Sequence, residues 1–537
     1  MILSRIVLLA AGASAASFSV PFRRSTGLSL DSFTKRDVVS LTADNNITGG
    51  GYYAEIEVGT PGQKVKVHLD TGSSDTWVNS ADTNLCAGGR YTGCDKFFNP
   101  NESSTFKTVA QDAFNLSYLD QRAVRGDYFN DTVTINGKAL KNQRLGLPRN
   151  TTPGSGVMGL GLSAGVAAEN QYPAIVDHMA AEGAIGRAAF SLYLNHSQAD
   201  SGVILFGGID TRKFIGKLAT VRLVPGFKPG SGIQAYAVRM SGLDISSPDS
   251  QGNARGDALN VTVVLDSGST LTFLPDGIVE PIWKRFEVET FQNKAFVDCK
   301  HASNDDISLE VSFPSKTITV PMSELVVDFP QKSLLKLLGL KLDDPCIFGI
   351  QGTSYNNITG DKFGIIGDTI LRSAYVLYDA ENKQVGIAQA NVASSDSIIV
   401  DLESGDSIPD VSGVSEEDAN KRPSATSSPP EPSQTEDSES SADVKALELT
   451  VLHLSRPRPT PILRRNLTAQ AWQGSGALFI AAFPALPVVA VVAVVAVVAV
   501  VAVVAVVAVV AVVAVVAARG CALSILDVMA HLVLLPA

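Results

Sequence analysis

The chain has 537 residues, 45% hydrophobic and 18% charged, enough apolar material for a large packed core. Its net charge of −11 is uneven: residues 1–395 carry 35 basic and 39 acidic side chains, 396–445 carry 3 and 13, and 446–537 carry 5 and 2. The body of the chain is therefore near neutral, which argues against a nucleic-acid binder with a basic face, and the composition excludes collagen-like and wholly disordered chains.

Residues 1–15 read as a secretory signal. Arg5 supplies the positive charge, Ile6 to Ala11 the apolar run, and Ala13-Ser14-Ala15 the small-residue cleavage site. Lys35-Arg36, just ahead of Asp37, reads as a processing site, which makes residues 16–36 a propeptide. Nine N-x-[ST] sequons, at Asn46, Asn101, Asn115, Asn130, Asn150, Asn195, Asn260, Asn357 and Asn466, agree with passage through the secretory route as a glycoprotein. There are five cysteines and no C-x-x-C. In an oxidising compartment the economical pairing is local, Cys86–Cys94 and Cys299–Cys346, with Cys521 left over.

From Gly51 to about Asn391, short Val/Ile/Thr/Phe-rich runs alternate with turn residues, which predicts an all-β body. Tyr53 to Val58, Asp131 to Ile135 and Ser315 to Val320 are examples of the predicted strands. The clearest helices are Pro173 to Glu182 and Gly277 to Glu289.

An internal repeat sets the architecture. Val67-His68-Leu69-Asp70-Thr71-Gly72-Ser73-Ser74 recurs 196 residues later as Val263-Val264-Leu265-Asp266-Ser267-Gly268-Ser269-Thr270. Each is followed by an apolar-apolar-Gly element: Gly156 to Gly161 in the first half, Phe363 to Asp368 in the second. Two such halves, residues 37–225 and 226–395, would bring two carboxylates together across a pseudo-twofold axis.

Residues 396–445 are rich in Ser, Pro, Asp and Glu and nearly free of aromatics, so a disordered, O-glycosylated stalk is expected over 396–470. The tail, 471–537, contains an uncharged V-V-A repeat from Val488 to Ala518. Three readings stand for it: a spanning helix, a GPI signal, or a repeat expansion or frame error in the gene. A GPI signal should end apolar, and this tail continues through Arg519, Asp527 and His531.

Two D-[TS]-G-[ST] motifs, in order and at domain spacing in a β context, give the chain its resemblance. It resembles the pepsin-like aspartic proteases, closest to the fungal secreted and surface-anchored branch (candidapepsin- and yapsin-like), over about Gly51 to Asn391. The resemblance implies a bilobal fold of two β-barrel-like lobes with a cleft between them, and a catalytic dyad of Asp70 and Asp266. Like charges about 3 Å apart cannot both ionise, so the pair shares one proton. One member takes a proton from a water held between them, and the other protonates the peptide carbonyl.

Around the dyad, Gly72 and Gly268 would let backbone N–H groups approach the carboxylates. Thr71 and Ser267 would lock the two loops together, and Ser73 and Ser269 would bind the outer carboxylate oxygens. The family also carries a flap over its cleft, with a Tyr that meets a Trp; Tyr118 and Trp77 match that pair. The flap departs from the family pattern at Leu119, Gln121 and Arg122. Asp120, two residues after Tyr118, is a candidate for recognising Lys or Arg before the scissile bond, unless it only caps the hairpin turn or is neutralised by Arg122, which would leave a preference for large apolar residues.

Other motifs carry less. Gly161-Leu162-Ser163-Ala164-Gly165 matches a nucleophile elbow, and Gly159 to Ala164 a dinucleotide fingerprint, but neither sits in an α/β unit. His68 adjoins the first Asp motif as a structural side chain. With no H-E-x-x-H and no EF-hand loop, no metal and no cofactor are expected. The expected protein is a monomeric endopeptidase acting on proteins or peptides, secreted or tethered to a membrane or cell wall. Its rival is a silent wall or binding protein that keeps the fold.

Overall fold

The computed structural model describes residues 17–26, 50–80, 83, 97–118, 123–151, 155–199, 201–226, 232–248, 259–328, 332–337, 339–354, 363–405 and 407–420. The chain divides into two compact units, Met1–Pro430 and Glu431–Ala537, and every described residue belongs to the first. Cys86, Cys94, Cys521, Leu119 to Arg122, the sequons at Asn46, Asn357 and Asn466, and residues 421–537 lie outside the described set.

Alternation sets which face of each strand is buried. In β3 (Gln63–Asp70), Val65, Val67 and Leu69 point inward while Lys64 and Lys66 point out. Its antiparallel neighbour β2 (Gly50–Val58) buries Tyr52, Ala54, Ile56 and Val58 in the same core. The flap strands β4 (Lys107–Ser117) and β5 (Ala123–Ile135), with β6 (Lys138–Thr151), extend this sheet through the pairing of β5 with β2.

The internal repeat is a repeat of strand pairing. β3 runs parallel to β7 (Gly156–Gly159), with Asp70 opposite Gly159. In the second half Val261–Leu265 runs parallel to Phe363–Ile366, with Leu265 opposite Ile366. The apolar-Gly elements thus lie directly beside the Asp-bearing strands in both halves. The halves also share one twelve-stranded sheet, in which Ala374–Asp379 and Gln384–Ala390 join Ala189–Tyr193 and Phe214–Arg222. The architecture is the expected all-β, pepsin-like one.

The structure bears on three local expectations. β1 (Phe18–Thr26), inside the predicted propeptide, is an interior strand of that sheet, paired with Ser201–Phe206 on one side and β2 on the other. Phe18, Val20 and Phe22 are buried there. Helix α1 (Ile175–Ala181) lies within its predicted span, but α2 (Asp276–Arg285) stops four residues short of Glu289. Glu287 takes a φ of +51°, which ends the helix before the strand Glu289–Phe291.

The third concerns the predicted stalk, whose first residues are folded. Ile399–Asp401 pairs antiparallel with Gly208–Asp210. Leu402 and Val414 are buried, and Val414 exchanges backbone hydrogen bonds with the outer edge of Phe214–Arg222. A short helix, Glu416–Asn420, follows. Composition averaged over 396–445 hides the fact that Ile398, Ile399, Val400, Leu402, Ile408, Val411 and Val414 all fall in its first part.

Cys299 and Cys346 are joined in a disulfide, and this bond ties the strand end at Asp298 to Pro345–Phe348. Among the described residues, the one cluster with metal-ligand proximity is Cys299, Asp328 and Cys346, and its two sulfurs are already bonded to each other. Among the same residues no helix is long and apolar enough to cross a membrane.

Candidate active site

Asp70 ends β3, and Asp266 follows Leu265 at the end of the equivalent strand in the second half. Both strands stop where a Gly two residues on allows a tight turn. The turn folds the backbone onto the carboxylate: Gly72 N–H donates to Asp70 Oδ1 at 2.8 Å, and Gly268 N–H donates to Asp266 Oδ1 at 2.8 Å. Ser73 Oγ donates to Asp70 Oδ2 at 2.5 Å, and Ser269 Oγ to Asp266 Oδ2 at 2.7 Å. Each carboxylate therefore has one backbone donor and one hydroxyl donor, in mirrored positions.

The two loops are bound to each other by a symmetric set of bonds. Thr71 Oγ1 donates to Leu265 O at 2.8 Å and accepts from Ser267 N–H at 2.9 Å. Ser267 Oγ donates to Leu69 O at 3.0 Å and accepts from Thr71 N–H at 3.3 Å. Both side chains are fully buried, so these bonds form away from competing water. The glycines act across the axis as well as within their own turns. A Cβ on Gly72 would collide with the Asp266 carboxylate, and one on Gly268 with that of Asp70.

A Cβ built on Gly268 would meet Asp70 Oδ1 and, at 3.0 Å, Asp266 Oδ1, so the two carboxyls face each other across the axis. Burial, then the charge of Asp70, push the Asp266 carboxyl up to about 7. Burial also holds Asp368, next to the second apolar-Gly element, well above the usual carboxylate range, against the pull of Arg372. A carboxyl with a raised pKa binds more protons folded than unfolded. Its stabilisation is complete below the unfolded value, near 4, and is lost as pH rises through the folded value. The structure should therefore lose stability, on the order of a few kcal/mol, between about pH 4 and pH 7. Urea unfolding across that window checks this, with Asp368→Asn as the control. The variant should show a shallower pH slope than the wild type, and an equal or steeper slope would contradict the assignment.

The strands expected to form the flap, β4 and β5, pair in register as Phe114↔Gly126, Asn115↔Arg125 and Leu116↔Val124. Tyr118 follows β4 and is half-buried, and its hydroxyl accepts from Trp77 Nε1 at 2.9 Å. Trp77 is fully buried and bridges to Gly146 and Val157. The predicted Tyr–Trp pair is thus brought together. Phe114, Leu116 and Tyr118 face the cluster around Trp77. Asn115 alternates to the exposed outer face, so a glycan there would point away from that cluster.

The lesser motifs find structural places. Ser163 sits in a 3-10 turn, where its hydroxyl contacts the Asp177 carboxylate and accepts from Ala174 N–H at 2.8 Å. Gly159 and Gly161 are pressed against the backbone of Ser73 to Asp75, which leaves no room for a Cβ. His68 stacks on Tyr53 with ring centroids 5.0 Å apart. Of the described sequons, Asn101, Asn115, Asn150 and Asn260 are exposed, and Asn130 and Asn195 are half-buried. Two residues with no part in the sequence reading also line this region, Asp75 and its partner Tyr128. The signal for Asp75 was a second carboxylate five residues after Asp70, in a stretch of small and apolar residues.

Comparison with known proteins agrees with this geometry. Residues 51–390 match the family model described as eukaryotic aspartyl protease. "Probable aspartic-type endopeptidase opsB" of Aspergillus fumigatus is 36% identical over 71% of this chain and 77% of its own length. "Acid protease" of Saccharomycopsis fibuligera is 34% identical over 63% of this chain and 80% of its own. "Secreted aspartic protease 6" of Candida albicans is 29% identical over 68% and 82%. A match spanning more than half the chain, centred on two mirrored Asp-Thr/Ser-Gly turns, means that the chain belongs to the eukaryotic aspartyl protease family.

Proposed function

We propose that the protein is an acid-acting endopeptidase that cleaves peptide bonds with a water activated between Asp70 and Asp266. The observation that carries this reading is the juxtaposition of the two carboxyls around Gly72 and Gly268, each held by one backbone and one hydroxyl donor. The ionised member draws a proton from the water as it attacks the carbonyl carbon. The protonated member hydrogen-bonds the carbonyl oxygen and supplies a proton as the tetrahedral intermediate forms. The two titrate as a unit, and the donors hold their oxygens in place before substrate arrives. Closure of Tyr118 over the substrate would exclude water from the intermediate.

Activity requires the shared proton, whose loss follows the raised pKa of Asp266. Cleavage should be greatest in mild acid and should fall as pH rises through about 7. A peptide digest at about pH 4–5, with and without a statine inhibitor that mimics the tetrahedral intermediate, tests the function. Statine-sensitive cleavage is expected. Cleavage that ignores statine and peaks in alkali would overturn the reading.

The same proposal places the protein in the secretory route, with residues 1–15 as signal and 16–36 as propeptide. Replacement of β1 by another segment would then have to accompany release of that propeptide. The remainder of the expected stalk, 421–470, and the tail 471–537, the candidate tether, lie outside the described residues. Asp120 is proposed to favour Lys or Arg before the scissile bond, since a carboxylate in a partly desolvated cleft pairs a cation better than one in open water. In a peptide-library profile, Asp120→Ala should lose cleavage after Lys and Arg and keep cleavage after Phe and Leu. An unchanged profile would remove Asp120 from the specificity site.

A further inference from the structure

Asp75 is a buried carboxylate that the dyad chemistry does not use. It is 1% exposed. A charge so placed is tolerated only if its oxygens are satisfied. Three donors converge on it. Tyr128 Oη donates to Oδ1 at 2.9 Å and Tyr172 Oη donates to Oδ1 at 2.7 Å. The Ala167 N–H donates to Oδ2 at 2.7 Å.

These groups come from three separate segments. Asp75 belongs to the loop that carries Asp70. Tyr128 belongs to β5, the returning strand of the flap. Ala167 and Tyr172 lie in the stretch between the 3-10 turn Ser163–Gly165 and α1. Burial, followed by the charge of Asp75, raises the pKa of both phenols, so both stay neutral donors. The Arg144 guanidinium lies 5.1 Å over the Tyr172 ring and supplies a nearby positive charge.

Packing carries the tie onward to Trp77 and Tyr118. Tyr128 meets Tyr172 and Phe114 edge-on, at 5.9 and 5.1 Å between ring centroids. The same apolar cluster includes Trp77 and Tyr118. Two residues after Asp75, Trp77 holds the Tyr118 hydroxyl. One carboxylate therefore ties together the loop after Asp70, strand β5 and the segment 166–172.

We propose that Asp75 is a positioning residue for substrate binding: through Tyr128 and Tyr172 it fixes strand β5 and the segment 166–172 against the loop after Asp70, and with them the Trp77–Tyr118 pair, and so sets KM. This rests on the protease reading above. The dyad's own hydrogen bonds do not pass through Asp75, so the chemical step should be largely spared. An Asn at this position could keep one oxygen for the tyrosines, but its NH₂ would then face the Ala167 N–H, donor against donor.

The test compares Tyr128→Phe, Tyr172→Phe, the double variant and Asp75→Asn in the full chain. A peptide substrate gives KM and kcat, and statine titration counts competent sites. The Tyr→Phe changes keep ring volume, so they report on the hydrogen bonds even if Asp75→Asn folds poorly. Each single Phe variant should raise KM about five- to tenfold with kcat within about twofold, and statine should weaken in parallel. The double variant should raise KM by less than the product of the singles, because both hydroxyls share one oxygen. Loss confined to kcat, or a lowered Tm with unchanged KM, would overturn the assignment. So would fully multiplicative effects. A wild type without statine-sensitive activity would overturn the protease reading and this assignment together; an active wild type with any of the contrary results overturns this assignment alone.

Discussion

Asp70→Asn and Asp266→Asn should each lower kcat/KM by at least about a thousandfold at mildly acidic pH. Asparagine fits the same space and keeps an acceptor for Gly72 or Gly268 N–H, so the turns should persist. It cannot share the proton that makes one member a base and the other an acid. Circular dichroism and thermal melting should report a folded protein in both variants. Asp266→Asn has a second consequence of opposite sign. It removes a buried carboxyl whose proton is lost as pH approaches 7, so the variant should melt higher than the wild type at neutral pH. Peptide cleavage at several per cent of the wild-type rate by either variant would remove the dyad assignment. A lower neutral-pH Tm for Asp266→Asn would remove the linkage argument alone.

A chain ending at Ser395 should be grossly destabilised, whereas one ending at Asn420 should melt like the intact protein. The segment between them completes the fold. Leu402 is 1% exposed and Val414 6%, and burial of each contributes about 1.5–3 kcal/mol. Arg187, itself 4% exposed, donates to Glu403 O at 2.8 Å and to Ser407 O at 3.0 Å. Removing those carbonyls strands a buried guanidinium beside Asp379, 3.5 Å away, at a cost of about 1–3 kcal/mol or more. Two strand edges, Phe214–Arg222 and Gly208–Asp210, would also be opened to pairing with other chains. The sum is comparable to the whole stability of a typical domain, about 5–15 kcal/mol. The shorter chain should therefore aggregate, or melt more than about 10 °C lower, and the longer one should not. Equal melting of the two would mean that residues 396–420 are not part of the folded unit.

The architecture and the centre of the site were legible because they rest on local patterns. Strand alternation exposes which face is buried, as in Val65, Val67 and Leu69. The duplicated Asp-Thr/Ser-Gly turn is a short motif whose chemistry needs a carboxylate, a hydroxyl and a missing Cβ at fixed spacing. Even the apolar-Gly elements, picked out only by repetition, turned out to pair with the Asp strands in both halves. Tyr118 and Trp77 came from family resemblance, and their hydrogen bond agrees with it.

What the sequence by itself determined was the all-β duplicated fold and the two Asp turns; contacts between distant segments decided the rest. Composition assigned residues 396–420 to a stalk because an average over the acidic stretch cannot see that its apolar side chains find a sheet edge to cover. The dibasic pair Lys35-Arg36 marks residues 16–36 as a propeptide, but nothing local says that Phe22 will lie between two other strands. Asp75 has no local signature of its role, since its three donors come from Tyr128, Ala167 and Tyr172, far along the chain. Hydrogen bonds and burial of this kind depend on which surfaces meet in the folded state. That meeting is set by the packing of whole sheets, and a short sequence pattern carries no record of it.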